Sequence, residues 1–345
     1  MMETAHNELS QLLSQISGYI YPNEIEVHWS ILIVVYPYLT GLVAGAFILA
    51  SLVKVFNITE LKPTYRLSLI TALSFLLIAP LPLLLHLGHP LRSFEIFLTP
   101  NLSSAMAMFG FVYAWYLMVV LLLEIWFDYR VDMINFAKTA KFPMNWFYKV
   151  ISLFSTDTSP HAIAIDKKVI KFITIIGIPS AFILHGYVGF IFGSIKANPW
   201  WSSVLIPIVF LFSAIVSGIA LILLLYMIIT PSRGIPIDMK CLDKIASFLL
   251  YAVIIDFSLE ILDFIHRLYE SEESIKILTE MVMNKLFISL VVLQVLIGMI
   301  VPLSILIIIK LTGFNQELRK LLYFLSAILI QIGIFSTRWN VVLGG

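Results

Sequence analysis

In the stretch LLLHLGHPLRSFEIF, residues 83–97, leucines run into His86, then His89, Pro90 and Arg92, and apolar residues resume almost at once. Imidazoles exchange protons near neutral pH, and a guanidinium holds a polar or anionic partner. More groups of this kind are spread along the chain: His28 beside Trp29, Tyr36, Tyr113, and His185 with Tyr187. Phenols and imidazoles both donate hydrogen bonds to carbonyl oxygens. A second set is acidic. Asp256, Glu260, Asp263 and Arg267 are spaced by four, three and four residues, which puts them on one face of a helix. Glu124 stands alone in an apolar stretch.

What positions these groups follows from composition. Hydrophobic residues make up 60% of the 345-residue chain and charged residues 12%, about half the charge of a soluble domain. Runs of about 20 apolar residues recur throughout, the pattern of membrane-spanning helices. Eight are predicted: 30–54, 67–88, 104–126, 168–193, 202–229, 243–266, 286–310 and 320–337. They do not alternate, which excludes barrel strands. The net charge of +1 offers no basic field for nucleic acid. The single cysteine, Cys241, excludes both an internal disulfide and an iron–sulfur cluster ligated by this chain alone. The N-terminus shows no charged-then-apolar pattern, so no cleavable signal peptide is expected.

Lysine and arginine give an orientation, because cytoplasmic loops retain positive charge. One side collects Lys54, Lys62 and Arg66, then Arg130, Lys138, Lys141, Lys149, Lys167, Lys168 and Lys171, then Arg233, Lys240 and Lys244, and finally Lys310, Arg319 and Lys320. The other side has Arg92, Lys196, Arg267, Lys276, Lys285 and Arg338. The chain is therefore expected in the cytoplasmic membrane with both termini outside.

Two segments lie between or before the spans. Residues 8–20 carry Leu9, Leu12, Leu13, Ile16 and Ile20 at helical spacing, a short amphipathic helix on the outer surface that either packs on outer loops or docks a partner. PMNWFYKVISLF, residues 143–154, reads as an aromatic interfacial anchor. An internal repeat is also visible. TGLVAGAF (40–47) aligns with SAIVSGIA (213–220), pairing Thr40 with Ser213 and Gly45 with Gly218. The second and sixth spans both end in polar clusters, HLGHPLR and DFIHRLYE. The expected architecture is all-α, with eight transmembrane helices in two four-helix bundles. It comprises an outer segment 1–28, a first bundle 29–193 and a second bundle 194–345.

In that frame His86 falls in the last turn of the second span at the outer interface. His28, Tyr36, His89, Arg92, Tyr113 and His185 share the outer half of the first bundle. The cluster fits an interfacial helix end. It also fits a cavity offering imidazoles, phenols and apolar walls, which suits a quinone whose carbonyls need donors and whose reduction needs protons. A lone His185 fits an interhelical hydrogen bond equally. Asp256, Glu260 and Asp263 read either as a charge ladder partly neutralised by Arg267 or as a proton path, with Glu124 serving it from the inside or lying at the interface. Two other functions compete. One is a secondary transporter or ion channel. The other is a cytochrome b type subunit with haem between His86 and His185.

The order of motifs resembles the NrfD / polysulfide reductase membrane subunit (PsrC) family. YLTGLVAGAF is similar to its glycine-rich opening helix, and LGHPLR followed by PNLSSAM to the connection between its second and third spans. HGYVGFIFGSIKANPWW (185–201), Pro207 and SAIVSG resemble its fourth and fifth spans, and RWNVVLGG (338–345) its closing signature. The resemblance implies a quinone-reactive membrane anchor using menaquinone or a similar quinone, with no haem or iron–sulfur cluster of its own. It implies an iron–sulfur subunit docked on the outer face and a catalytic subunit, often molybdopterin-dependent, with the quinone site in the first bundle. Proton translocation is a further possibility within that function. Where the family often reads Asp-Leu-Gly-Arg-Pro, this chain has His86, Leu87, Gly88, His89 and Pro90.

Overall fold

The computed structural model describes residues 29–87, 90–99, 105–195, 198–270 and 275–344. Residues 8–20, His28, His89 and Lys196 lie outside that set. Among the described residues, eight helices are long and apolar enough to cross a membrane: α1 Ile31–Lys54, α2 Thr59–His86, α3 Gly110–Thr139, α4 Pro160–Gly193, α5 Ile206–Ser232, α6 Met239–Tyr269, α7 Phe287–Leu311 and α8 Gln316–Val342. Each corresponds to one of the expected spans, and the chain is a multi-pass membrane protein.

The helices outrun the apolar runs because a helix does not end where lipid ends. Helix α3 continues to Thr139 and α4 begins at Pro160. Ser159 caps α4 by accepting from the Ala162 N–H, with Pro160 at the first helical position. In the extension of α3, Arg130 forms a buried ion pair with Asp166 of α4 at 2.7 Å. The aromatic segment between them forms a short helix, Met144–Ile151, with Trp146 and Phe147 exposed.

Helix α8 shows the largest difference. Its apolar run stops before Arg338, which the sequence places among the outer cations. The helix instead continues to Val342 and takes Arg338 inside at 0% exposure. Arg267 is also buried, in an ion pair with Asp263 of its own helix. Neither is a loop charge. Removing both from the outer set leaves the loop asymmetry in the same direction.

Helix α1 packs against α2, α4, α5 and α8. Lipid tails are as apolar as leucine, so close backbone packing replaces the hydrophobic drive between helices. Gly45 of α1 faces Gly218 of α5, the pair matched by the internal repeat, and a Cβ on either would strike the other's backbone. Gly298 and Gly333 join α7 to α8 in the same way. At the far end of α8 the Trp200 and Trp201 indoles donate to the Asn340 and Val341 carbonyls at 2.9 and 2.6 Å. They satisfy acceptors that the last helical turn leaves open.

Gly45→Leu is expected to destabilise the fold by about 2–3 kcal/mol through overpacking, read as a lower thermal midpoint in detergent. Gly313→Ala has open space around it and should leave the midpoint unchanged.

Candidate functional site

Helices α1, α2 and α4 enclose a pocket of about 210 Å³ at the end of the array where α1 begins. Trp29, Ile33, Tyr36, Leu83, His86 and Tyr187 form most of its wall. His86 sits in the last turn of α2, and its Nδ1 lies 3.3 Å from the Ser30 hydroxyl. Ser30 is also the N-cap of α1, accepting from the Leu32 N–H. The cap that starts one helix thus holds the imidazole that ends another. Trp29 stacks on Trp201 at 5.1 Å and meets Phe192 edge-on at 5.4 Å, closing an aromatic rim.

Of the residues expected at a quinone site, Tyr36 and His86 line this pocket. Tyr187, near His185 on α4, lines it too. Tyr113 does not; its hydroxyl donates to the Leu76 carbonyl at 2.9 Å. Arg92 lies apart in an exposed ion pair, with Glu95 at 3.0 Å, and holds that carboxyl below its ordinary range. His28 and His89 fall outside the described residues.

His185 points elsewhere. It is fully buried, with Nε2 3.1 Å from the Arg338 guanidinium and Nδ1 3.3 Å from Thr40 Oγ1. Arginine only donates, so Nε2 accepts and the ring proton belongs on Nδ1, donating to Thr40. The Thr40 hydroxyl in turn donates to the carbonyl of Tyr36 or Pro37, at 3.2 and 3.3 Å. The same Arg338 nitrogen donates to Ser213 Oγ at 2.6 Å and the Phe210 carbonyl at 3.2 Å, and the guanidinium lies 4.0 Å from the Phe210 ring centre. Thr40 and Ser213, paired by the repeat, therefore each hold one member of the His185–Arg338 pair.

The acidic face of α6 divides in two. Asp263 pairs with Arg267 at 2.6 Å and accepts a short hydrogen bond from Ser203. Asp256 and Glu260 are not tied to Arg267; they lie near Arg338 without forming an ion pair with it. Glu260 accepts from Gln294 Nε2 at 2.8 Å, and Gln294 Oε1 accepts from Asn340 Nδ2 at 2.7 Å. Glu124 is fully buried in α3 and accepts from Tyr65 at 2.9 Å. It lies one turn from Asp128, the partner of Lys54, and so belongs to the opposite end of the array from Asp256.

Sequence reasoning misses Ser30 and Gln294, reads Asn340 only as part of the closing RWNVVLGG signature, and misses the buried role of Arg338. A signal exists for the last: Val341 and Val342 resume the apolar run after it. Single amides such as Gln294 carry no such mark.

A family model described as polysulphide reductase, NrfD, matches residues 22–345 and so takes in all eight helices. The chain belongs to the NrfD family. Relatives of this NrfD-family chain include parts of reductases. A selenate reductase subunit from Mesobacillus selenatarsenatis is 31% identical over 324 residues, a match that covers 91% of this chain and 73% of that one. A chain assigned as a dimethyl sulfoxide reductase membrane subunit, from Halobacterium salinarum, is 26% identical over 202 residues. That match covers 56% of this chain and 42% of the relative.

Arg338→Met should cost the NrfD-family chain about 1–3 kcal/mol, since it leaves His185, Ser213 and the Phe210 carbonyl without their buried donor, and it removes the positive charge nearest Asp256 and Glu260. Adding Asp256→Asn should recover part of that loss. Thermal midpoints of the three proteins in one detergent check this, and a single variant as stable as wild type would show that Arg338 ties nothing together.

Proposed function

We propose that this chain is the membrane subunit of a multi-subunit reductase and exchanges electrons between the quinone pool and an iron–sulfur subunit. The observation that carries this reading is the pocket in which His86, Tyr36 and Tyr187 converge within aromatic and aliphatic walls. Family membership and the reductase subunits among its relatives support the same assignment.

The pocket has the donor set a quinone head requires. A bound quinone supplies two-electron, two-proton chemistry. His86, steadied by Ser30, is the group that exchanges the proton at its ring nitrogen. The Tyr36 and Tyr187 phenols orient carbonyl oxygens, and Trp29 with Phe192 excludes water from the rim. Electrons leave to an iron–sulfur subunit docked on the face where α1 begins, the expected outer face, and pass to a catalytic subunit of the molybdopterin-dependent class. Asp256 and Glu260, buried opposite Arg338, are the groups placed to carry protons if turnover is coupled to translocation, with Glu124 serving the opposite side. Asp263 is tied by Arg267 and Ser203 and contributes position more than proton transfer.

The haem reading fits less well. Both ring nitrogens of His185 are engaged, by Thr40 and Arg338, so the ring has no lone pair free for iron. The buried Asp256–Glu260–Arg338 group favours an ion path as the second reading, which predicts ion movement by the chain alone in liposomes.

Purification from native membranes in mild detergent should bring an iron–sulfur protein and a large catalytic subunit with the chain. A chain recovered alone that moves an ion would replace the reductase reading. In the assembled complex, His86→Ala should reduce quinol-linked turnover by at least 100-fold, on the order of a lost general acid–base, while artificial-donor activity persists. Unchanged quinol turnover would remove His86 from the site. Asp256→Asn should lower protons released per quinone turned over, and an unaltered ratio would take Asp256 out of the path.

A further inference from the structure

A second cavity, of about 350 Å³, lies among α5, α6, α7 and α8. Apolar walls such as Val209, Phe257 and Leu290 are interrupted by Glu260, Gln294 and Asn340. It is the repeat counterpart of the first pocket. The alignment that pairs Thr40 with Ser213 sets Ile33, Tyr36 and Pro37 against Ile206, Val209 and Phe210. The first three line the α1–α2–α4 pocket, and the second three line this cavity. Aligning HLGHPL with DFIHRL sets Leu83 and His86 against Glu260 and Asp263, and again one pair lines each space. Duplication has placed a pocket in each half and given the two different polar groups.

The hydrogen bonds fix what the second pocket can hold. While ionised, Glu260 only accepts, so it turns the Gln294 amide to present Nε2 to it. Gln294 Oε1 then faces Asn340, which must present Nδ2. The chain of amides thereby has one direction, and it ends on Asn340 Oδ1. That oxygen is buried, belongs to a residue 1% exposed, and has no hydrogen-bond partner. A buried acceptor left open asks for a donor. The space is ample for an aromatic ring, since a cavity of about 150 Å³ already takes benzene. The cavity is partly open, and Ile261 and Phe264 in its wall are 43% and 39% exposed, which gives a route in from the surface.

We propose that this cavity is a second binding site, for the hydroxyl-bearing aromatic head of a membrane-soluble ligand of the quinol class. Its location rests on the cavity and on Asn340; the ligand class rests in part on the reading of the first pocket. The first pocket offers donors to carbonyls, whereas this one offers an acceptor to a hydroxyl, so the two halves differ in the redox form they prefer.

Photolabelling of the purified complex separates the possibilities. The probe is a diazirine-bearing benzoquinol with a prenyl tail, and labelled peptides are mapped. Two labelled sets are expected, one from α1 and α4, the other from residues 257–264 and 290–295. Val295→Trp, which fills the second cavity, should remove only the second set and halve the bound probe; Val209→Trp does the same from the opposite wall if the first variant does not fold. Ile33→Trp should remove only the first set. The dimethyl ether of the quinol, which cannot donate, should compete about tenfold more weakly at the second set. Label confined to α1 and α4 would overturn the second site and leave the first reading standing. Label confined to α5–α8 would support the second site and remove the quinol reading of the first pocket. Displacement of the second set by the ether or by phospholipid as readily as by the quinol would overturn the hydroxyl assignment.

Discussion

Arg338 is a full positive charge inside a membrane-spanning helix, and much of the structure answers that constraint. A guanidinium cannot shed its charge cheaply and offers only donors. In hydrocarbon it must meet acceptors and counter-charge from other helices. Here α5 supplies the Phe210 carbonyl, the Ser213 hydroxyl and the Phe210 ring, and α4 supplies His185. Thr40 of α1 is reached through His185, and α6 places Asp256 and Glu260 near the guanidinium without an ion pair. Gln294 of α7 joins through Glu260. Six of the eight helices are thus organised about one residue of α8. A buried pair of this kind adds little net stability over an apolar replacement, but it penalises every arrangement that leaves a partner alone. Its contribution is to register.

That register sets both pockets. Tyr36 lies one turn before Thr40, and Thr40 hydrogen-bonds into that turn. Tyr187 is two residues beyond His185 on α4. The walls of the first pocket are therefore positioned by the contacts made to Nη2 of Arg338, although neither Arg338 nor His185 lines it. On the other side, the counter-charges of Arg338 continue through Gln294 to Asn340 and into the second cavity. The two pockets share one electrostatic centre, so a change of charge in either half is felt by the network between them.

The close approach of α1 and α5 is the second requirement. Gly45 and Gly218, matched by the sequence repeat, touch each other. Only glycine allows that distance. The approach brings Thr40 and Ser213 to the same depth, where each meets its half of the His185–Arg338 pair.

The sequence alone determined the class and the count of helices. Lipid imposes a length and an apolar composition on any spanning helix, and both are written locally. The repeat, the His86 cluster and the family resemblance are legible for the same reason, being short ordered patterns. Partnership is not legible, because side-chain direction depends on how helices rotate against one another. His185 and Tyr113 belong to the helices around the pocket but turn away from it, Asp263 parts from Asp256 and Glu260 on a single helix face, and Glu124 lies inside the protein. Taken alone, an arginine marks the end of a span, and so Arg338 reads as an outer charge. Only the tertiary structure brings acceptors from other helices to its Nη2, and with that the helix continues through it.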